Sequence, residues 1–112
     1  MTLPTPDDLG SAPPWENYII AQTAQASLGL IPHDALALGV AVDGLSVTLT
    51  CQLQEIRDAS TEDLEEIAHE LAQLLGEHVT VAIAQEVHDT PTITPHDTVA
   101  WTFIARSEGA LP

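Results

Sequence analysis

The sequence contains no lysine, and its only cationic side chains are Arg57 and Arg106. With 17 acidic residues the formal net charge is -15 at pH 7. Such a chain repels phosphate backbones and anionic lipid surfaces, so nucleic-acid binding and membrane binding are not expected. The same charge steers basic proteins toward the molecule. The alternative interpretation is that the acidity only keeps a small protein soluble.

Cysteine, aromatic residues and long hydrophobic runs are also scarce. The single cysteine, Cys51, excludes an internal disulfide, and aromatic residues make up 4% of the chain, which predicts an aliphatic core. No apolar run approaches the roughly 20 residues that span a bilayer. The first residues show neither the basic nor the hydrophobic region of a signal peptide. These features predict a cytoplasmic protein.

The motifs of several enzyme classes are missing as well. There is no glycine-rich phosphate loop and no Gly-x-Ser-x-Gly sequence, and without lysine there is no Schiff-base chemistry. Acidic pairs are numerous, but no cleft can be assigned to any of them. We therefore predict a protein that is not an enzyme and that uses no cofactor.

The length of 112 residues and the hydrophobic content of 45% fit one folded domain. Residues 1–14 contain four prolines and two aspartates, which predicts a flexible, proline-rich acidic tail. The remainder, residues 15–112, is predicted to be a single α+β domain. Its first element is a helix over residues 15–28 that ends at Gly29. The predicted apolar stripe consists of Ile20, Ala24, Leu28 and Ile31, with Trp15 and Ile19 beside it.

A hairpin follows, with Asp43-Gly44 as its expected two-residue turn. Counting outward by twos from this turn places every large aliphatic side chain on one face of the two strands. That face contains Leu36, Leu38, Val40, Val42, Leu45, Val47, Leu49, Cys51 and Leu53. Cys51 is therefore expected to be a buried, unreactive thiol.

A second helix begins near Ser60 or Thr61, either of which can cap it, and ends at Gly76. Its apolar stripe is predicted to contain Leu64, Ile67, Ala68, Leu71, Leu74 and Leu75. Two more strands, "VTVAIAQEV" and "TVAWTFIAR", are predicted to form a second hairpin with a long surface loop between them. The order is thus αββαββ, which predicts a four-stranded, mainly antiparallel sheet with both helices packed on one face.

Three of the five histidines precede an aspartate, in the pairs His33-Asp34, His88-Asp89 and His96-Asp97. Pooled together, these side chains could bind a transition metal or serve a small enzyme. However, they lie on separate loops without the spacing of helical metal motifs, and aspartate often begins a strand because its carboxylate bonds nearby backbone. We predict structural roles and no metal site.

Two surfaces remain as candidates for binding. The polar face of the second helix carries Glu62, Glu65, Glu66 and Glu70, and it is predicted to bind a basic partner. The sheet face opposite the helices has small residues in place of the usual charges, so we expect another backbone to cover it. The residues assigned to this possible dimer face are Ala37, Gly39, Ala41, Thr48, Thr50, Ala82, Ala84 and Thr102.

The leading hypothesis is a non-catalytic, acidic interaction protein that binds a basic or apolar protein partner. By size and charge it is comparable to immunity proteins, antitoxins and secretion chaperones, which is an analogy of composition and not of sequence. One alternative is a small enzyme or metal-binding protein that uses the His-Asp loops. The other is a homodimeric structural protein, whose cover for the small-residue face would be a second copy or the proline-rich tail.

Overall fold

The fold rests on a computed structural model that describes residues 12–94 and 98–105. The α+β class and the αββαββ order that the sequence predicts are confirmed. The elements are α1 (Ala12–Ala26), β1 (Ala35–Asp43), β2 (Ser46–Leu53), α2 (Asp58–Leu75), β3 (Thr80–Val87) and β4 (Ala100–Ile104).

The four strands form one mixed sheet in the order β3-β2-β1-β4. β1 runs antiparallel to both β2 and β4, and β2 runs parallel to β3. The predicted second hairpin is therefore wrong, because β3 and β4 lie at opposite edges of the sheet. The helix α2 carries the chain from β2 back to the start of a neighbouring strand, and such a helical crossover produces the parallel pairing of β2 with β3. β4 pairs with β1 instead of β3.

The turn between β1 and β2 differs by one residue from its prediction. Asp43 pairs with Ser46, so the loop residues are Gly44 and Leu45 instead of Asp43 and Gly44. Gly44 has φ of 60° and no other residue type has a positive φ in the described chain, which fits a turn with glycine first. Cross-strand partners shift by two residues, so the large side chains from Leu38 to Val42 and from Val47 to Leu53 keep the predicted face. The prediction is wrong for Leu45, which lies in the turn and is 42% exposed, and for Leu36, where a bulge places Ala35 in the core instead.

The helices pack on the sheet face that carries the large aliphatic residues. Leu38, Val40, Leu49 and Cys51 contribute to this core together with Ile19 of α1 and the Leu64, Ile67 and Leu71 side chains of α2. In α2, Leu74 is 42% exposed although the sequence assigns it to the apolar stripe. Leu75, the next residue around the helix, packs against the core in its place.

The helix α1 begins at Ala12, within the predicted tail, and prolines at positions 13 and 14 suit a first helical turn because its N–H groups need no helical acceptor. The rest of that tail lies outside the described residues. The buried stripe of α1 consists of Trp15, Ile19, Thr23 and Ala26, whereas Ala24 and Leu28 are exposed. The predicted stripe is right for Ile20 and Ile31, which pack against the core, and wrong for Ala24 and Leu28. Thr23 can be buried because its hydroxyl donates to the Ile19 carbonyl at 2.8 Å.

Gly39 determines how closely β4 approaches β1. A Cβ atom there would lie 2.5 Å from the Ala100 carbonyl oxygen and 2.9 Å from the Trp101 Cα. Gly39 pairs with Trp101 and Leu38 pairs with Phe103, so Thr102 is an extra residue in β4. This bulge reverses the predicted alternation, and it places Phe103 beside Leu38 and Trp101 beside Gly39. Within the described ranges, neither helix combines the length and the apolarity that crossing a membrane requires.

Candidate interaction surfaces

The predicted acidic surface is one exposed face of α2. Glu62, Glu65, Glu66 and Glu70 are all exposed, while Leu64, Ile67 and Leu71 on the other side of the helix are fully buried. We call these four glutamates the acidic face. None of the ion pairs among residues 12–94 and 98–105 involves them. The acidic face therefore presents four charges that no cation of the described chain neutralises.

One flank of α2 leans over β3. Gln85 of β3 donates its Nε2 amide to the Thr61 hydroxyl at 3.2 Å. Near the end of the helix an open groove of about 440 Å³ separates α2 from the start of β3, and His69, Ala72, Gly76 and Val79 line it together with Gln73 and Glu77. Glu65 lies one helical turn after Thr61, so it borders the same flank.

The far face of the sheet, opposite the helices, is ordered in rows by the strand registers. Running from β3 to β4, one row contains Glu86, Gln52, Ala37 and Ile104, and the next contains Ala84, Thr50, Gly39 and Trp101. A third row, nearer the β1–β2 turn, contains Ala82, Thr48 and Ala41. Ala37 is 0% exposed, Gln52 1% and Thr50 3%. The middle of this face is thus buried within a single chain.

Described residues from the connection between β3 and β4 contribute the cover. These strands lie at opposite edges of the sheet, and the helices occupy its other face. Thr92 donates its backbone N–H to Gln52 Oε1 at 2.7 Å, and Gln52 Nε2 donates to the Thr92 carbonyl at 2.8 Å. At the β4 end the Val99 side chain lies over Gly39, where a Cβ would come within 2.8 Å of it.

This internal cover makes part of the predicted dimer face inaccessible to a second copy. The sequence suggested a second copy or the tail as the cover, and in the described part of the chain Thr92 and Val99 lie there. Ala37, Gly39 and Thr50 are buried beneath this cover, and Thr102 donates its hydroxyl to the Leu38 carbonyl at 3.2 Å. Ala41, Thr48 and Ala84 are half-buried and Ala82 is exposed. The accessible parts of the far face are the region near the β1–β2 turn and the two margins, where Ile104 is 53% exposed and Glu86 is exposed.

The pair His33-Asp34 lies beside the first turn of α2. Asp34 accepts a hydrogen bond of 2.8 Å from the buried Ser60 hydroxyl, and its other carboxylate oxygen lies 4.0 Å from Arg57 Nε. Ser60 is therefore not the helix cap that the sequence suggested. Arg57 occupies the capping position without a side-chain hydrogen bond to the helix. Asp34 joins the start of β1 to α2, which is a structural role.

His88 of the second pair follows β3 directly and contacts an acid on that strand. Its Nε2 lies 3.2 Å from Glu86 Oε1, while the Asp89 carbonyl accepts a hydrogen bond from the Gln54 amide. The third pair, His96-Asp97, lies outside the described residues. Among residues 12–94 and 98–105, no three histidine, cysteine or acidic side chains are close enough together to hold a metal ion.

Cys51 lies in the centre of the core and is fully buried. Burial raises the pKa of its thiol from the ordinary 9.0 to about 12, and the negative charge of Asp34 adds to this rise. The thiolate is the nucleophilic and metal-binding form of cysteine. Cys51 is thus a protonated core residue at neutral pH.

Gln52 is the residue whose role the sequence did not reveal. Its position on the small-residue face was apparent, but a buried glutamine is satisfied only by partners that a strand pattern does not show. The available signal was the length of the segment between β3 and β4, which exceeds the two to five residues of an ordinary hairpin loop.

Comparison with known proteins gives no relative from which a role could be transferred. No protein-family model matches the sequence. A search of curated proteins likewise finds no significant match.

Proposed function

We propose that this protein is a non-catalytic interaction protein whose acidic face on α2 binds a basic protein partner. The observation that carries the proposal is the exposure of Glu62, Glu65, Glu66 and Glu70 on one rigid helix with no neutralising cation among the described residues. An arrangement of this kind attracts cationic proteins and accelerates their association.

Two further observations support a binding role over catalysis. The groove of about 440 Å³ is open to solvent and its lining groups include no nucleophile beside a base. Cys51, the only thiol, is buried and protonated, because burial raises its pKa to about 12. Neither feature suits an active site, where a reactive group must be accessible and have a pKa near the working pH.

The test compares two variants that each remove four negative charges. The first changes Glu62, Glu65, Glu66 and Glu70 to glutamine. The control changes the exposed Glu16, Asp43, Glu55 and Asp89 to their amides. A partner purified with the wild-type protein from the native cell is immobilised, and association rates are measured from low to physiological salt.

We expect the acidic-face variant to associate about tenfold more slowly or worse and to lose most of the salt dependence, while the control changes less. If the two variants slow association equally, net charge alone attracts the partner and the acidic face is not the binding site. If neither changes the rate, the partner binds elsewhere.

A further inference from the structure

The two edges of the sheet are built differently. β4 is five residues long and contains the bulge at Thr102, whereas β3 is eight residues long and pairs with β2 without any register shift. Proteins usually protect an edge strand by making it short, by bulges, or by lysine and proline, because a regular edge pairs readily with another strand. β3, with the sequence "TVAIAQEV", is neither short nor bulged, contains no lysine or proline, and carries Glu86 as its single charge.

The hydrogen bonds at both ends of β3 show which of its backbone groups point outward. Thr80 donates its N–H to the Leu45 carbonyl, and His88 donates to the Leu53 carbonyl, each at 2.9 Å. In a parallel ladder, alternate residues direct both N–H and C=O toward the same neighbour. The even-numbered residues therefore bond to β2, and the odd-numbered ones point to the open edge. In the described part of the chain, β2 is the only neighbour of β3.

The odd-numbered side chains are on the helix side of the sheet. Val81 and Ile83 pack only partly against the core, and Val87 is 58% exposed. Gln85 Oε1 is buried and accepts no hydrogen bond from the described residues. A strand added beside β3 would cover the exposed parts of these aliphatic side chains.

The added strand could come from a second copy of this chain or from a partner protein, and the charge around the edge favours the partner. The edge is bordered by Glu65 and Glu77 on the helix side and by Glu86 on the far side, all exposed. A second copy of the chain paired through β3 would bring two such acidic borders together, and each copy carries a net charge of -15. A strand with lysine or arginine side chains would instead neutralise them.

We propose that the open edge of β3 binds an extended, basic segment of a partner protein by strand addition. This inference rests on the proposed function and specifies how the partner is held. Backbone hydrogen bonds to Val81, Ile83, Gln85 and Val87 would supply affinity, and the bordering glutamates would select basic side chains.

The experiment titrates ¹⁵N-labelled full-length protein with an eight-residue peptide of alternating lysine and valine. One control peptide has glutamate in place of lysine, and a second has its central valines replaced by proline to prevent strand pairing. The readouts are amide chemical shifts and hydrogen exchange. We expect the lysine-valine peptide to slow exchange at residues 81, 83, 85 and 87 at least tenfold. The even-numbered amides should already be protected, and the controls should have no such effect.

Three outcomes would overturn the inference. If the lysine-valine peptide shifts only the amides of the acidic face, strand addition is wrong while the proposed function stands. If the odd-numbered amides are protected before any peptide is added, the edge is already occupied by a second copy or by another part of this chain. If the edge is open and the peptide leaves every amide unchanged, a basic strand is not its ligand. A variant with Val87→Pro should lose the effect, whereas Val87→Thr, which keeps the N–H, should retain it.

Discussion

Gln52 and Thr92 are joined by a closed pair of hydrogen bonds across a separation of 40 residues. The Thr92 N–H donates to Gln52 Oε1 at 2.7 Å, and Gln52 Nε2 returns a hydrogen bond to the Thr92 carbonyl at 2.8 Å. The glutamine side chain thus bonds to both the N–H and the carbonyl of Thr92, as the backbone of a neighbouring strand would. It holds the crossing segment on the far face, and it gives the buried amide three partners, since Glu86 Oε1 lies 3.5 Å away.

The first prediction concerns this pair. Gln52→Ala removes both hydrogen bonds from a fully buried position, and we expect a loss of about 2 kcal/mol in the free energy of unfolding. Denaturant unfolding measures the loss, and the Thr92 amide should exchange faster with solvent. The matched control is Gln54→Ala, which removes one exposed hydrogen bond to Asp89 and should cost about 0.5 kcal/mol or less. Equal costs for the two variants would show that the pair does not hold the segment.

The second prediction concerns the close contact between β1 and β4. Gly39→Ala places a Cβ against the backbone of Ala100 and Trp101, neither of which can move like a flexible side chain. We expect a loss of about 1–3 kcal/mol, together with faster exchange of the Ala105 amide, which donates to the Leu36 carbonyl. The control is Gly29→Ala, which has no atom within 4 Å of its new Cβ but a φ of 76°. It should cost only about 1 kcal/mol and leave the Ala105 amide protected.

The third prediction is a stability change at alkaline pH. The Cys51 thiol ionises near pH 9.0 in an unfolded chain, whereas burial raises its pKa to about 12 in the folded protein. Ionisation between these values favours unfolding. The free energy of unfolding should therefore be independent of this thiol below pH 9 and fall by about 1.4 kcal/mol per pH unit above it. The chain has no lysine and one tyrosine, so few other groups titrate in this window.

The control for this measurement is Cys51→Ala, which should reduce stability at pH 7 by about 1 kcal/mol but remove most of the alkaline slope. A slope that persists in Cys51→Ala must come from another group. A thiol reagent at pH 8 provides a second check, because the native protein should react slowly and the denatured protein at once.

The fourth prediction concerns the bond between Ser60 and Asp34. Ser60→Ala removes a buried hydroxyl that donates to a carboxylate at 2.8 Å, and we expect a loss of about 1.5–3 kcal/mol. Thr61→Ala removes the neighbouring hydroxyl, which is half-buried and bonds to Gln85, and it should reduce the free energy of unfolding by less. If Ser60→Ala is neutral, Asp34 is not a structural link between β1 and α2.

The fifth prediction tests whether the far face of the sheet is covered within a single chain. Ala37→Lys would force a charge into a site that is 0% exposed, so it should destabilise the single chain by more than about 3 kcal/mol. Ala82→Lys, at an exposed position of the same face, should change stability by less than about 0.5 kcal/mol. Sedimentation at micromolar concentration then tests self-association. Because the middle of the far face is buried within one chain, we expect a monomer, and a dimer that Ala82→Lys dissociates would contradict this.

The sequence reveals those features of the fold that depend on local patterns. The alternation around Gly44 identifies the β1–β2 hairpin and its core face, and the stripe through Leu64 and Leu71 identifies α2. The partner of β4 depends instead on Gly39, whose missing side chain allows a backbone to approach from the other side of the sheet. No periodicity in β4 indicates this contact, and the extra residue Thr102 even reverses the alternation. The acidic face is visible in the sequence because a helix displays charge at fixed spacing, whereas an open edge appears only once the strand order is known.

The position of β4 also determines the order in which the chain can assemble. The Thr102 hydroxyl bonds to the Leu38 carbonyl, 64 residues earlier, whereas the hairpin and the helical crossover to β3 connect elements that are close in sequence. Contacts between distant residues form late, because closing a long loop costs entropy before any pairing offsets it. The unit of residues 35–87 is therefore expected to form before β4 adds to it. Until then β1 has a free edge, and the pairing of Trp101 with Gly39 closes it.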